Sequence, residues 1–278
     1  MAEISRAVPW YYRSLRDSAR IKAFVRDLIA LVPGVRFWIA RWVFLGPNHN
    51  THRFWGVFPT MAAARAYIPS RLNIGFEDPA FPENFDETIP ERDAPVVRIL
   101  SRLMPEVKTV FDLGGNIGFC FYRYRSQITY PQALRWTVCD LPFVNERGKR
   151  MAAKRGESQI AFTDTQQEGD GADVYLTCGA LQFFEDRFAD ILRRLKKKPR
   201  HVLINRVPLT EGSSFFTLQH SGYSVVPYHI ANLDSFVAGI EALGYKLVEQ
   251  WENDRFCDIL LRPDRYVRHY YGFYFMRI

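Results

Sequence analysis

Val110 to Gly118 reads V-F-D-L-G-G-N-I-G, an apolar run around an acid that passes into a glycine-rich turn. A buried parallel strand feeding a helix has this form, and such a turn cradles a nucleotide-like ligand. Gly114, Asn116 and Gly118 stand at alternate positions, and glycine or asparagine serves where positive φ or close approach of backbone to a ligand is needed. The backbone from Gly114 through Gly115 to Gly118 would position the ligand. The spacing G-x-N-x-G departs from the G-x-G-x-x-G of dinucleotide sites, whose second glycine lets backbone reach a pyrophosphate. A carboxylate at Asp112 also suits an amine-bearing ligand better than an anionic one. S-adenosylmethionine carries such an amine.

A second apolar run, Trp136 to Cys139, ends in Asp140. This acid lies 22 residues after Gly118, close to the roughly 20-residue offset at which an acid meets ribose hydroxyls. Asp112 would then hold the methionine end and Asp140 the ribose; alternatively Asp140 only caps the helix that begins near Pro142. Asp164, just past the third strand, could meet the adenine amine, or could simply form a turn in the polar stretch to Gly171.

Following D-L-G-G-N-I-G at this distance, Cys139-Asp140-Leu141-Pro142 resembles the S-adenosylmethionine-dependent class I methyltransferases, and its D-L-P is similar to that of small-molecule O-methyltransferases. The stretches Phe54-Trp55-Gly56-Val57-Phe58, Gly179-Ala180-Leu181-Gln182-Phe183, Phe216-Thr217-Leu218-Gln219, Gly244-Tyr245-Lys246-Leu247-Val248, Trp251-Glu252-Asn253 and Gly272-Phe273-Tyr274-Phe275 resemble a family of bacterial methyltransferases associated with surface-polysaccharide loci. Together they span nearly the whole chain. The resemblance implies an α/β fold with a doubly wound, Rossmann-like, mostly parallel sheet, S-adenosylmethionine as cofactor, and methyl transfer to oxygen. By analogy with the family the acceptor is a saccharide, glycolipid or other glycoconjugate. Two further functions stay open. One is methylation of a phenolic or natural-product acceptor, suggested by D-L-P and by 22 phenylalanines and 14 tyrosines that could line an aromatic pocket. The other is a non-catalytic donor-binding or membrane-docking role in glycan assembly.

Ligands of doubly wound sheets bind beyond the carboxyl ends of the strands, so an acceptor should meet the segments after strands 173–178 and 200–206. Several related O-methyltransferases carry a basic histidine after the first of these. Here Thr177-Cys178-Gly179-Ala180-Leu181-Gln182 ends in Gln182, which can orient a hydroxyl but cannot take its proton. Arg206 could pair with an acceptor's phosphate or carboxylate, or form a salt bridge within the protein. Arg206 to Ala231 reads as a long loop above the site and offers His220, Tyr223, Tyr228 and His229. A histidine, with an ordinary pKa of about 6.5, can accept a proton at neutral pH. The base is therefore assigned to His220, then His229, with Tyr223 and Tyr228 beside the acceptor. Each could instead only shape the loop.

The elements that would position these residues alternate: strand 108–113, helix 117–125, strand 135–140, helix 143–154, strands 158–163 and 173–178, helix 185–196, strand 200–206. Such alternation implies a parallel sheet. A helix near 232–243 ends at Gly244, and strand-like runs follow at Tyr245–Trp251, Cys257–Leu261 and Tyr271–Met276, the first two expected to form an antiparallel hairpin. Upstream, a helix from about Ser14 to Leu31 stops at Pro33-Gly34, and a second apolar stretch runs to Leu45. Residues 59–65 suit a short helix and 94–103 a longer one. Between them Ile68 to Arg92, with four prolines, wraps the surface or lids the cleft. The chain thus divides into a helical and irregular extension, 1–92, and a catalytic domain, 93–278.

The 278 residues, 47% of them hydrophobic, can fill a sizeable core. Cys120, Cys139, Cys178 and Cys257 lie far apart without a C-x-x-C pair, and read as buried thiols rather than a metal site or disulfide framework. That usage, with no leader or bilayer-length apolar run, points to the cytosol. Residues 1–55 hold nine basic side chains against three acids, so a net +6 of the chain's +7 sits in its first fifth, interleaved with aromatics. Ile21, Phe24, Val25, Leu28 and Val32 repeat at helical spacing. Such a stripe can pack on the catalytic domain or a second subunit. Alternatively, residues 1–46 lie peripherally on the inner face of an anionic membrane. No nucleic-acid-binding motif accompanies the basic stretch.

Overall fold

A computed structural model describes residues 33–46, 53–73, 87–221 and 224–278. The expected helix from Ser14 to Leu31, the whole of its apolar stripe, and Tyr223 lie outside these residues. In chain order the elements are helix α1 (Pro33–Leu45), strand β1 (Arg53–Phe58), α2 (Met61–Arg65), α3 (Ala94–Leu103), β2 (Thr109–Leu113), α4 (Phe119–Tyr124), β3 (Arg135–Cys139), α5 (Pro142–Arg155), β4 (Ile160–Thr163), β5 (Val174–Cys178), α6 (Phe188–Arg194), β6 (His201–Thr210), β7 (Phe215–His220), β8 (Val225–Asn232), α7 (Leu233–Glu241), β9 (Tyr245–Asn253) and β10 (Tyr270–Arg277).

The parallel body runs β4-β3-β2-β5-β6, and β10 adds antiparallel to the other edge of β6 with β9 antiparallel beyond it. This is the doubly wound, mostly parallel sheet that the alternation of elements implies. Its strands read as near-continuous apolar runs because both faces are covered. Val110, Trp136, Val174 and Leu203 pack beneath α3 and α4, while Phe111, Tyr175, Val202 and Phe273 face α6 and α7. The order reverses between β2 and β5. The crevice outside the carboxyl ends of the strands at such a reversal is where sheets of this kind take ligands.

Two expectations about the later strands fail. The hairpin between 245–251 and 257–261 does not form: β9 pairs along its whole length with β10, while Cys257 and Ile259 make single bridges to Val267 and Phe54. The aromatic run Tyr270–Phe275 buries both of its faces, which makes it the better partner. The long loop expected from Arg206 to Ala231 is also mostly strand. β6 continues to Thr210, and β7 and β8 form an antiparallel hairpin joined to β6 at Leu209–Ala231 and Thr210–Asn232. β1, within the segment read as an extension, pairs antiparallel with β7.

Candidate functional site

The turn after β2 adopts the geometry that its composition requires: φ is +69° at Gly114, +56° at Asn116 and +95° at Gly118. A Cβ on Gly114 would come within 2.2 Å of the Ala180 Cβ, so the turn and the loop after β5 touch across the crevice. A Cβ on Gly115 would lie 2.6 Å from the Asp112 carboxyl. The turn therefore folds directly over that acid.

Asp112 is fully buried. Trp136 Nε1 donates to its Oδ2 at 3.2 Å, whereas Oδ1 is buried without a hydrogen-bond partner. Burial raises its pKa to about 7, the Trp136 hydrogen bond opposing and the Asp140 charge adding to the shift. An unpartnered carboxylate oxygen in such a place is unfavourable until a donor reaches it, most of all a cationic one.

Asp140 follows β3 and braces the turn from the other side. Its Oδ2 accepts from Asn116 N and its Oδ1 from Leu141 N, each at 2.8 Å. Burial raises its pKa, and these two backbone donors restrain the rise. Each oxygen keeps a second lone pair for a hydroxyl donor. Asp140 is not the N-cap of α5, which is Leu141 with no side-chain cap bond; its carboxylate fixes the backbone of the turn instead. Leu141 presents an apolar side chain, 39% exposed, beside it. Asp164, exposed just after β4, accepts from Thr165 Oγ1 at 3.3 Å. The acids at 112, 140 and 164 thus stand after or within three adjacent strands.

Beyond β5, Gln182 is buried; its Nε2 donates to Gly179 O at 2.7 Å and its Oε1 has no partner. Arg206 carries a positive φ of 60° within β6, a conformation that costs about 1–3 kcal/mol in a residue with a side chain. Its Nη2 donates to Cys178 O at 2.9 Å and its Nε lies 3.7 Å from Asp93 Oδ1. Burial lowers the Arg206 pKa, but the Asp93 charge acting together with Cys178, Cys120 and Tyr124 more than offsets it, and the net shift is upward. The salt bridge within the protein is therefore the arrangement present.

Asp93, at the head of α3, was not evident from sequence. It is 1% exposed, accepts from Tyr124 Oη at 3.1 Å and Asn205 Nδ2 at 2.9 Å, and neutralises Arg206. Asn205 Oδ1 in turn accepts from Trp251 Nε1 at 3.1 Å. Asp93 precedes Ala94-Pro95 and reads locally as an ordinary helix start. Its partners lie 31 and 112 residues away, so no short-range pattern could reveal them.

The two histidines are not brought to this crevice. On β8, Tyr228 points toward the body, where it meets Phe183 of the loop after β5, with ring centroids 5.3 Å apart. Side chains alternate along a strand, so His229 points the other way, stacked on Phe216 at 4.4 Å. His220 shares that outer face and meets Phe44 of α1 edge-on at 5.7 Å. Burial lowers the pKa of both. The base assignment is thus corrected: the run read as a loop is a hairpin whose outer face is packed beneath α1 and α2. Tyr228 is corrected too, since its hydroxyl is buried against Tyr270 Oη at 2.7 Å and its ring belongs to the core around Phe54 and Ile259.

No protein-family model and no curated protein matches the chain. Among solved structures it is similar to the Burkholderia thailandensis 1,6-didemethyltoxoflavin-N1-methyltransferase with bound 1,6-didemethyltoxoflavin and S-adenosylhomocysteine. The identity is 20% over 67% of this chain and 78% of that one, with a TM-score of 0.45. The mitomycin 7-O-methyltransferase MmcR is 17% identical over 67% of this chain and 54% of its own, with a TM-score of 0.44. The PH0226 protein from Pyrococcus horikoshii OT3 is 12% identical over 72% and 97%, with a TM-score of 0.48. At these identities and scores, the chemistry of the site rests on this chain's own residues.

Proposed function

We propose that the chain is an S-adenosylmethionine-dependent O-methyltransferase that methylates a hydroxyl of a saccharide or glycoconjugate. The observation that carries the donor assignment is the unpartnered Oδ1 of Asp112 beneath Gly115, where a ligand ammonium would complete the carboxylate's bonding. Asp140 would hold the ribose hydroxyls, Leu141 would cover the adenine face, and Asp164 would accept from the adenine amine. The ligand supplies a methyl group on a sulfonium, which passes in line to the acceptor oxygen as the S–C bond breaks. Positive charge disperses in that step, so alignment and exclusion of water provide much of the acceleration. Gln182 Oε1 would accept from the acceptor hydroxyl and aim its oxygen, and the proton would leave to solvent as the O–CH3 bond forms. The saccharide class rests on the sequence resemblance to enzymes of surface-polysaccharide loci.

Titration calorimetry tests the donor half. Asp140→Ala should weaken S-adenosylhomocysteine binding by about 1–3 kcal/mol, the cost of losing a buried hydrogen-bond partner, and NAD should not bind. Unchanged affinity in a folded variant would remove Asp140 from the site. Methyl transfer from labelled donor to parallel panels of glycans, nucleotide sugars and phenols tests the acceptor half; transfer to phenols alone would overturn the saccharide assignment.

A further inference from the structure

Helix α1 is largely apolar in sequence, and among its described side chains one face is packed while the other is exposed. Phe37 and Phe44 lie inward on Trp55, with ring centroids 4.8 and 5.7 Å away. On the outer face Trp38 and Trp42, one turn apart, are 61% and 78% exposed, and Val43 beside them is 42% exposed. A contiguous aromatic and aliphatic face of this kind marks an interaction surface rather than scattered exposure. The helix is anchored beneath it: Arg41 lies over the Trp38 and Trp55 rings at 5.7 and 5.9 Å and donates to Tyr67 O, while Arg53 donates to Val43 O.

The stretch of chain that carries this helix is basic. From Leu28 to Phe76 the sequence contains no aspartate or glutamate, but it contains Arg36, Arg41, Arg53, Arg65 and Arg71. Arg65 and Arg71, at the ends of the two short helical turns that follow β1, are exposed. Tryptophans favour the boundary between headgroups and acyl chains, with arginines meeting the lipid phosphates above them. An isologous contact with a second copy would bring the arginines of this acid-free stretch of chain together, cation to cation. A polyanion such as nucleic acid would answer the charges but leave the apolar face of α1 without a partner.

We propose that the outer face of α1, with Arg41, Arg53, Arg65 and Arg71 near it, docks the protein peripherally on a membrane surface rich in anionic lipid. No helix among the described residues is long and apolar enough to cross a bilayer. The docking face is separate from the donor crevice, and its failure would leave the methyltransferase assignment untouched.

Sedimentation of the full chain with vesicles tests this, using phosphatidylcholine alone against phosphatidylcholine with about one-third phosphatidylglycerol. The protein should bind only the anionic vesicles, with a blue shift in tryptophan fluorescence and with release at high salt. W38S/W42S, which alters only exposed side chains, should weaken binding about tenfold or more. R65Q/R71Q should weaken it about fivefold for each arginine. A melting profile unchanged from the parent keeps either variant interpretable. The proposal fails if the intact chain ignores anionic vesicles at low salt, or if both variants bind them like the parent. It fails equally if W38S/W42S instead splits a dimer seen by sedimentation equilibrium, or if the chain binds an oligonucleotide tightly and lipid not at all.

Discussion

Asp93 and Asp112 are 1% and 0% exposed, yet their surroundings differ in kind. Asp93 is fully answered: Tyr124 and Asn205 donate to it, and Arg206 supplies the opposite charge. Asp112 receives a hydrogen bond from Trp136 alone and keeps one oxygen without a partner beneath a glycine turn. The first carboxylate ties α3, α4 and β6 into one structure. The second keeps Oδ1 without a protein partner, and that is why a ligand ammonium is proposed there.

The contrast is broken most forcefully at Asp93. Asp93→Ala should destabilise the protein by about 3–5 kcal/mol, because it strands the Arg206 guanidinium in a buried place. Urea denaturation measures this; a loss below about 1 kcal/mol would deny the network its structural role. Asp112→Asn should act in the opposite sense on stability. The folded-state pKa of Asp112 is raised to about 7, so the stability associated with it is complete below its unfolded value and is lost as pH climbs from about 4 through 7. The amide cannot ionise, and the variant should unfold at a higher urea concentration than the parent at pH 8. Its affinity for S-adenosylmethionine should nonetheless fall roughly 10- to 100-fold, as expected for the loss of a charge-assisted bond. A variant that is less stable at pH 8, or that binds the donor normally, would erase the distinction between the two acids.

What the sequence made legible follows the same division. The Asp112 turn and Asp140 were readable because both are local: an apolar strand, residues suited to positive φ, and an acid at a set offset. The network of Asp93, Tyr124 and Asn205 was not, since it is assembled from elements far apart in the chain. The β7–β8 hairpin was misread because Gln219, His220, Pro227 and His229 break an apolar pattern that packing on α1 and α2 restores. Mistaking that hairpin for a loop carried the two histidines to the wrong place. Gln182, by contrast, stands where strand order alone would put an acceptor contact.

The smallest expected effect concerns those histidines. His220→Ala and His229→Ala should each cost about 1 kcal/mol of stability, through lost contact with Phe44 and Phe216, and should leave turnover within about threefold. A general base would cost roughly 100-fold or more. A fall of that size in either variant, with its fold intact, would return the outer face of the hairpin to the chemistry.

The central claim, that Asp112 is an ammonium site awaiting its cation, is tested most directly by the protons released on donor binding. Calorimetric titration of the intact chain with S-adenosylmethionine at pH 7, in buffers of differing ionisation enthalpy, should show release of about half a proton, because binding requires the carboxylate of a group with a pKa of about 7. That release should vanish in Asp112→Asn, and affinity in the parent should weaken as pH falls below 7. Binding without proton release, or release that persists in the asparagine variant, would contradict the assignment.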